Sequence, residues 1–308
     1  MNLFRAACWT LLIVEHLHLL PSEIQYVWKT RWSLVKALFL ITRYLSLLEI
    51  VLVCQDRFWD KTTQEACRTS LIITLMTGLT IVTCAEAILF IRVYAFSGHA
   101  RPMLYYLSLQ YIVVHGGQLV AITLTITKAR FTTEREYHHP GTHCIVDFAS
   151  THVVDGLIFG TTISFAISGI LLVLIMSWLG YTKYRHVPIT SLVPGLIRDG
   201  VAYYLLISVV VAVKITILLA YAKANEDRFL NHGLAEGQVI IHSLLACRLV
   251  LQLRQLGDTA STSTQRERIG VVGGHNNDQP FQPIQFASNC HSTLLSGSYT
   301  TPHCLETA

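Results

Sequence analysis

Seven apolar segments, each close to the length of a membrane-spanning helix, constrain the fold of this chain more than any other feature. A helix needs roughly 20 mainly apolar residues to cross the ~30 Å hydrocarbon core of a bilayer. The second to sixth segments are strongly apolar, whereas the first and seventh are shorter and contain ionisable residues. The segments are Leu3–Leu20, Ser33–Cys54, Ser70–Tyr94, Met103–Thr125, Val154–Leu179, Val201–Tyr221 and Gly237–Leu253. We therefore predict an all-α, polytopic membrane bundle of seven transmembrane helices, with six as the alternative count.

The composition agrees with a chain whose surface lies mostly in lipid. Of its 308 residues, 52% are hydrophobic and 14% are charged, whereas a soluble domain carries about 25% charged residues. The mean hydropathy is +0.47. The net charge of +4 is spread along the chain and forms no basic stripe, so nucleic acid is not a predicted partner. The predicted surroundings are the lipid bilayer.

The chain divides into a membrane domain and a polar tail. From Gly257 to Ala308 the sequence is rich in Ser, Thr, Gly, Asn and Gln and has no periodic apolar pattern. Such a segment buries too little apolar surface to fold. We predict a transmembrane domain over residues 1–256 and a disordered tail over residues 257–308. Pro21 and Pro102 are expected in loops or at helix ends, where a missing N–H does no harm.

The orientation follows from the lysine and arginine residues in the loops. They are slightly more numerous on the side of the tail, and the cytoplasmic side of a membrane protein carries this excess. We predict a multi-pass protein of the plasma membrane or an endomembrane, with its N-terminus outside and its C-terminal tail in the cytoplasm.

Four of the ionisable residues within the predicted spans, Arg43, Glu49, Glu86 and Lys214, are the candidate site residues. Each costs about 2.5–3.5 kcal/mol at a helix centre, so it should face the bundle and find a partner. Depth along the helices suggests two pairs, Arg43 with Glu86 and Glu49 with Lys214. These residues form either static structural pairs or a ligand, ion or switch site in the bundle interior, and depth alone does not decide between the two.

One disulfide is predicted outside the membrane. Cys67 begins the third span, and Cys144 lies in the long loop between the fourth and fifth spans on the same side. That side is oxidising, so a bridge is chemically allowed and would hold the loop over the bundle. Cys54 is a rival partner on that side, and two free thiols are the alternative.

No pattern in the chain predicts catalysis, a metal site or a cofactor. His138, His139 and His143 form one histidine cluster, which we interpret as part of a solvated loop because metal-binding membrane enzymes use several such clusters. The last span has no lysine that would hold retinal. Phosphate-binding, nucleophile-elbow and zinc-protease motifs are absent from the sequence.

The chain resembles a family of multi-pass membrane proteins of mushroom-forming fungi. Residues 8–46 resemble that family's N-terminal domain of unknown function through Glu23–Trp28, Trp32–Leu40 and Thr42–Leu45. Further matching stretches are Cys67–Arg68, Cys84–Glu86, Arg92–Ala95, Ile197–Tyr204 and Cys247–Arg254. The resemblance implies a seven-helix membrane protein and suggests that Arg43 and Glu86 belong to a shared pattern. It implies no biochemical activity.

These observations leave three functional hypotheses. The first is a receptor-like seven-helix protein, with a small-molecule ligand under the long loop and a protein partner in the cytoplasm. The second is a small transporter or channel whose path is lined by the buried charges. The third, an intramembrane enzyme, is the least favoured, and we expect that the protein is not an enzyme.

Overall fold

A computed structural model describes residues 2–58, 64–135, 142–148, 152–184, 203, 205–213, 215–217 and 229–271. Seven α-helices follow one another along these residues: α1 Asn2–Glu23, α2 Leu34–Phe58, α3 Gln64–Phe96, α4 Arg101–Lys128, α5 His152–Tyr184, α6 Leu205–Ile217 and α7 Phe229–Val271. Among these described helices, all but α6 are long and apolar enough to cross a membrane. The predicted helical membrane bundle is therefore confirmed.

The order of strong and weak spans differs from the prediction. The first and last helices, which look short in the sequence, are full-length spans. Both ends of the predicted sixth span, residues 201–202 and 218–221, lie outside the described residues. Helix α1 gains its length because it passes through Pro21. A membrane helix tolerates such a proline, since neighbouring groups satisfy the backbone that the proline leaves open. The prediction that Pro21 ends the helix is wrong.

A π-helix, Ile24–Trp28, continues α1 toward the following loop. The carbonyl groups at its end are bound by cationic side chains from two other helices. Lys36 Nζ donates to the carbonyl oxygens of Trp28 and Thr30, at 3.3 and 2.8 Å, and Arg254 donates to that of Tyr26 at 2.7 Å. Positive charge at the carbonyl end of a helix is stabilising. The turn between α1 and α2 is thus fixed to both α2 and α7.

Helix α3 runs through the centre of the bundle. Its side chains from Ile81 to Val93 include many that are almost fully buried. They pack with apolar side chains of α4, α5, α6 and α7 in one cluster, whose members include Leu89, Leu107, Leu172, Ile207 and Leu249. Large apolar side chains on α4 and α5, such as Val113 and Leu174, are exposed. An exposed apolar face of this kind suits contact with lipid.

Two strands form a hairpin between α4 and α5, where the sequence analysis expected a solvated loop. β1 Ala129–Arg135 pairs antiparallel with β2 Thr142–Phe148, so that Ala129 faces Phe148. Both strands contain β-branched and aromatic residues, and Pro140 and Gly141 between them are a turn signal. The expectation of a loop was wrong because we did not weigh these signals.

Helix α7 continues beyond its membrane span. It passes through Gly257 and ends at Val271, so the first part of the predicted disordered tail is helical. A helix that leaves the membrane needs no new nucleus to propagate, and Gln265, Arg266 and Glu267 are good helix formers. Residues 272–308 lie outside the described residues. The chain divides into two units, Met1–Ala260 and Ser261–Ala308, and the predicted division between residues 256 and 257 stays a prediction.

Candidate functional site

Arg43 is one of the most completely buried side chains, and its partner is Glu23. The Nε atom of Arg43 lies 2.7 Å from Glu23 Oε2, and the two side chains are 2% and 0% exposed. The predicted pair of Arg43 with Glu86 is wrong. The reason is Pro21: we expected the helix to stop there, and therefore did not count Glu23 as a residue at membrane depth.

Each oxygen of the Glu23 carboxylate contacts a polar group, although Oε2 makes an ion pair and no hydrogen bond among the described residues. Oε1 accepts hydrogen bonds from Trp28 Nε1 at 3.1 Å and from the Tyr44 hydroxyl at 3.0 Å, while Oε2 faces Arg43. The guanidinium also donates to the carbonyl oxygen of His16 at 2.8 Å. A buried ion pair is stable only when its remaining donors and acceptors are bonded in this way. We interpret the pair as structural.

Further polar contacts tie α1, α2 and α7 together around this pair. The His16 ring lies 2.9 Å from the carbonyl oxygen of Arg43, and Ser243 Oγ donates to that of Thr42 at 3.2 Å. Arg248 of α7 forms an ion pair with Glu15 of α1. Charged groups of the first and last helices therefore bind each other inside the membrane.

Glu86 pairs with His242, a residue that the sequence analysis only noted as interrupting the last span. Glu86 Oε1 lies 3.5 Å from His242 Nε2, and both residues are buried. His242 Nδ1 lies 3.0 Å from the carbonyl oxygen of Gln238. A carbonyl oxygen only accepts, so we assign the ring hydrogen to Nδ1.

The contact between Glu86 and His242 is electrostatic. The distance of 3.5 Å is long for a hydrogen bond, and His242 Nε2 has no hydrogen-bond partner among the described residues. The two groups are therefore a buried acid and a buried imidazole placed side by side on α3 and α7.

A cavity of about 250 Å³ lies among α2, α3, α4, α5 and α7. It sits toward the end of the bundle at which α1, α3, α5 and α7 begin, which we call the N-terminal end. Its polar lining includes Glu49, Thr74, Gln118, Thr125, Glu236 and Gln238, and the remainder is mostly apolar. The sequence analysis singled out only Glu49 among these residues.

Glu236 is held by Arg5 from the start of α1. Arg5 Nε lies 2.9 Å from Glu236 Oε2, and both side chains are buried. Arg5 stands near the start of the first predicted span, and Glu236 stands just before the predicted start of the last span. Their similar depths at the ends of two spans were the signal that would have paired them.

Glu49 is 6% exposed, and its Oε2 has no hydrogen-bond partner among the described residues. Its Oε1 approaches α3 closely at Gly78, where an added Cβ would stand 3.5 Å from that oxygen. Lys214, its predicted partner, lies outside the described residues. The pairing of Glu49 with Lys214 therefore stays a prediction.

The predicted disulfide also stays a prediction. Cys67 lies in α3 and Cys144 in β2, but their side chains are outside the described part of the chain. Cys8, Cys54, Cys84 and Cys247 are free thiols, and no two described cysteines are at disulfide distance. Within the described residues, no cluster of His, Cys, Asp and Glu is suited to hold a metal ion.

The comparison with protein families identifies the segment that contains the Arg43–Glu23 pair. Residues 3–48 match a family of unknown function, DUF6533. This segment comprises α1, the π-helix and the first part of α2, and so includes both partners of the buried pair. The match covers a minor part of the 308 residues. No curated protein matches the chain. The fungal origin that the resemblance implied stays a prediction.

Replacement of Arg43 by Met should destabilise the protein strongly, because Glu23 would remain buried without its counter-charge. The expected loss is about 3–5 kcal/mol of unfolding free energy, measured by denaturation of the detergent-purified protein. The double variant Arg43→Met, Glu23→Met should regain part of this loss. Arg31→Met, at an exposed arginine in the loop before α2, is the matched control. A single variant as stable as this control would contradict the structural role.

Replacement of Glu86 tests whether its contact with His242 depends on the charge of the carboxylate. Glu86→Gln retains an N–H donor for His242 Nε2, so its unfolding temperature should stay close to that of the native protein. Glu86→Ala leaves the buried ring nitrogen unsatisfied and should cost about 1–3 kcal/mol. Equal destabilisation by both variants would show that the pair needs a charged carboxylate.

Proposed function

We propose that this multi-pass membrane protein is a receptor-like seven-helix protein that binds a small molecule in the cavity at the N-terminal end of the bundle. The supporting observation is the combination of an internal cavity with buried carboxylates among its lining residues. Ligand sites are concave, largely apolar and carry a few convergent polar groups, and this cavity has those properties. With the predicted orientation, the cavity lies toward the outer side of the membrane.

The hairpin supports entry of a ligand from that side. Helix α4 ends and α5 begins at the N-terminal end of the bundle, so the hairpin that connects them is attached there. Strand β1 also contacts α3, which contributes several lining residues to the cavity. Contact of the hairpin with a helix that lines the cavity supports its role as the outer loop of the receptor hypothesis.

The packing toward the opposite end favours a receptor over a channel. Below the cavity, the same helices are filled by buried apolar side chains, including Leu89, Leu172, Met176 and Leu249. A continuous water-filled path is difficult to reconcile with this packing. The Glu86–His242 pair lies between these two regions along α3 and α7, and it is the observation that favours the second hypothesis, a transporter that moves a proton with its substrate.

A receptor of this orientation would meet its protein partner in the cytoplasm. We assign that role to the loops and tail at the C-terminal end of α7, because this helix continues beyond its span. We propose a binding role and no catalytic one.

Filling the cavity tests the proposal directly. Ala121 lines the cavity on α4 and is buried, whereas Val113 on the same helix is exposed. Ala121→Trp should abolish thermal stabilisation by small amines, alcohols and carboxylates that stabilise the native protein, and Val113→Trp should retain it. A ligand present at 100 times its Kd adds about 2.7 kcal/mol to the free energy of unfolding. A thermal melt detects a change of this size.

Two results would argue against this proposal. If no compound distinguishes Ala121→Trp from Val113→Trp, the cavity is not a ligand site. If the compounds that bind are also accumulated by proteoliposomes containing the protein, the transporter hypothesis replaces the receptor.

We also propose that Cys67 and Cys144 are joined, since α3 begins at the end of the bundle to which the hairpin is attached. The bridge would hold the hairpin near the cavity. Mass spectrometry after alkylation without reduction should find both residues unmodified, and after reduction should find both alkylated. Alkylation of Cys67 before reduction would show that the thiol is free.

A further inference from the structure

We propose that the ligand of the cavity is a small organic ammonium ion, a primary or secondary amine with an apolar body. This inference rests on the proposed function and names the chemical class that the cavity binds. Charge, hydrogen bonding and the apolar lining each support it.

The charges around the cavity leave one carboxylate in excess. Glu49 and Glu236 both line it, and among the described lining residues there is no lysine or arginine. Arg5 provides the counter-charge for Glu236. No described residue forms an ion pair with Glu49. An isolated carboxylate is costly to bury, and a monovalent cation in the cavity would remove that cost.

The hydrogen-bonding groups in the cavity match an ammonium ion. Glu49 Oε2 and Thr74 Oγ1 are buried and have no hydrogen-bond partner among the described residues. Both residues are among those that line the cavity, on α2 and α3. A carboxylate only accepts hydrogen bonds, and a hydroxyl can accept as well as donate. A primary or secondary ammonium supplies the two N–H donors that these atoms require, and a charge-assisted bond to a carboxylate is among the stronger kinds.

The remainder of the lining suits a small apolar body. Leu79, Val82, Ile122, Phe165 and Val239 provide aliphatic and aromatic surface. The volume of about 250 Å³ is below the range of about 300–1,000 Å³ found for drug-sized ligands. The ligand is therefore expected to be smaller than a typical drug, with its charge at one end.

Lys214 is the main alternative to a ligand as the counter-charge of Glu49. It lies outside the described residues, and the sequence analysis paired the two by depth. If Lys214 neutralises Glu49, an amine could bind only after the lysine is removed. The variant Lys214→Gln therefore distinguishes neutralisation of Glu49 by this lysine from neutralisation by a bound ammonium ion.

Benzylamine, benzyl alcohol and benzoate are suitable probes, because they share one ring and carry a positive, a neutral and a negative group at neutral pH. The full-length protein is purified in detergent, and affinity is measured from the shift of its unfolding temperature with probe concentration. We expect benzylamine to bind more tightly than the other two. Glu49→Gln should lower the affinity for benzylamine by about tenfold or more and leave the affinity for benzyl alcohol unchanged.

Glu65 provides a matched control, since it is an exposed glutamate in the first turn of α3. Glu65→Gln should bind benzylamine as the native protein does, and so should Lys214→Gln. Thr74→Val should lower the affinity for benzylamine by less than Glu49→Gln does. The unfolding temperature of each variant without probe shows that it is folded.

Three outcomes would overturn the ammonium proposal. In the first, benzylamine and benzyl alcohol bind equally well, and Ala121→Trp abolishes the binding of both. The cavity would then be a ligand site that does not select for charge. Unchanged benzylamine binding by Glu49→Gln would show that Glu49 is neutral or not involved. Binding of benzylamine only by Lys214→Gln would identify the lysine as the resident cation. Failure of all probes to distinguish Ala121→Trp from Val113→Trp would instead reject the proposed function itself.

Discussion

A charge inside a lipid bilayer must find a partner, and this requirement organises the bundle most strictly at Arg43. Its guanidinium is 2% exposed and is neutralised by Glu23, which lies beyond a proline that would end most helices. The pair therefore depends on α1 passing through Pro21 and on the π-helix that follows. Both partners, and the Tyr44 and Trp28 side chains that complete the site, come from the segment that matches DUF6533. The match thus includes both partners of this buried ion pair.

The same requirement distinguishes the cavity from the rest of the bundle. Glu15, Glu23, Glu86 and Glu236 each have a cationic or protonatable partner in the structure. Glu49 has none among the described residues, and like Glu236 it lines the cavity. Static pairs explain the other carboxylates, whereas the counter-charge of Glu49 is not among the described residues. For this reason we assign structure to the Arg43 site and ligand binding to the cavity.

The sequence predicted the helices well and their contacts poorly. Lipid leaves the backbone few alternatives to a helix, so hydropathy alone located the spans. The neighbours of each helix depend on packing between segments far apart in the chain, and no local pattern shows that α1 lies against α7. Arg43 and Glu86 were placed at suitable depths and yet bind different partners, Glu23 and His242. The hairpin was missed because its strands lie in a polar loop, although β-branched residues and the Pro140–Gly141 turn were visible.

The π-helix has a consequence for how this segment can vary in length. Each residue added to or removed from an α-helix rotates everything beyond it by about 100°, and a π-turn is the usual way in which a helix absorbs one extra residue. The turn Ile24–Trp28 lies immediately after Glu23 and before the carbonyl groups that Lys36 and Arg254 hold. Insertions and deletions are therefore tolerated least within α1 before Glu23, where a single residue would turn an acidic side chain from the protein interior toward hydrocarbon.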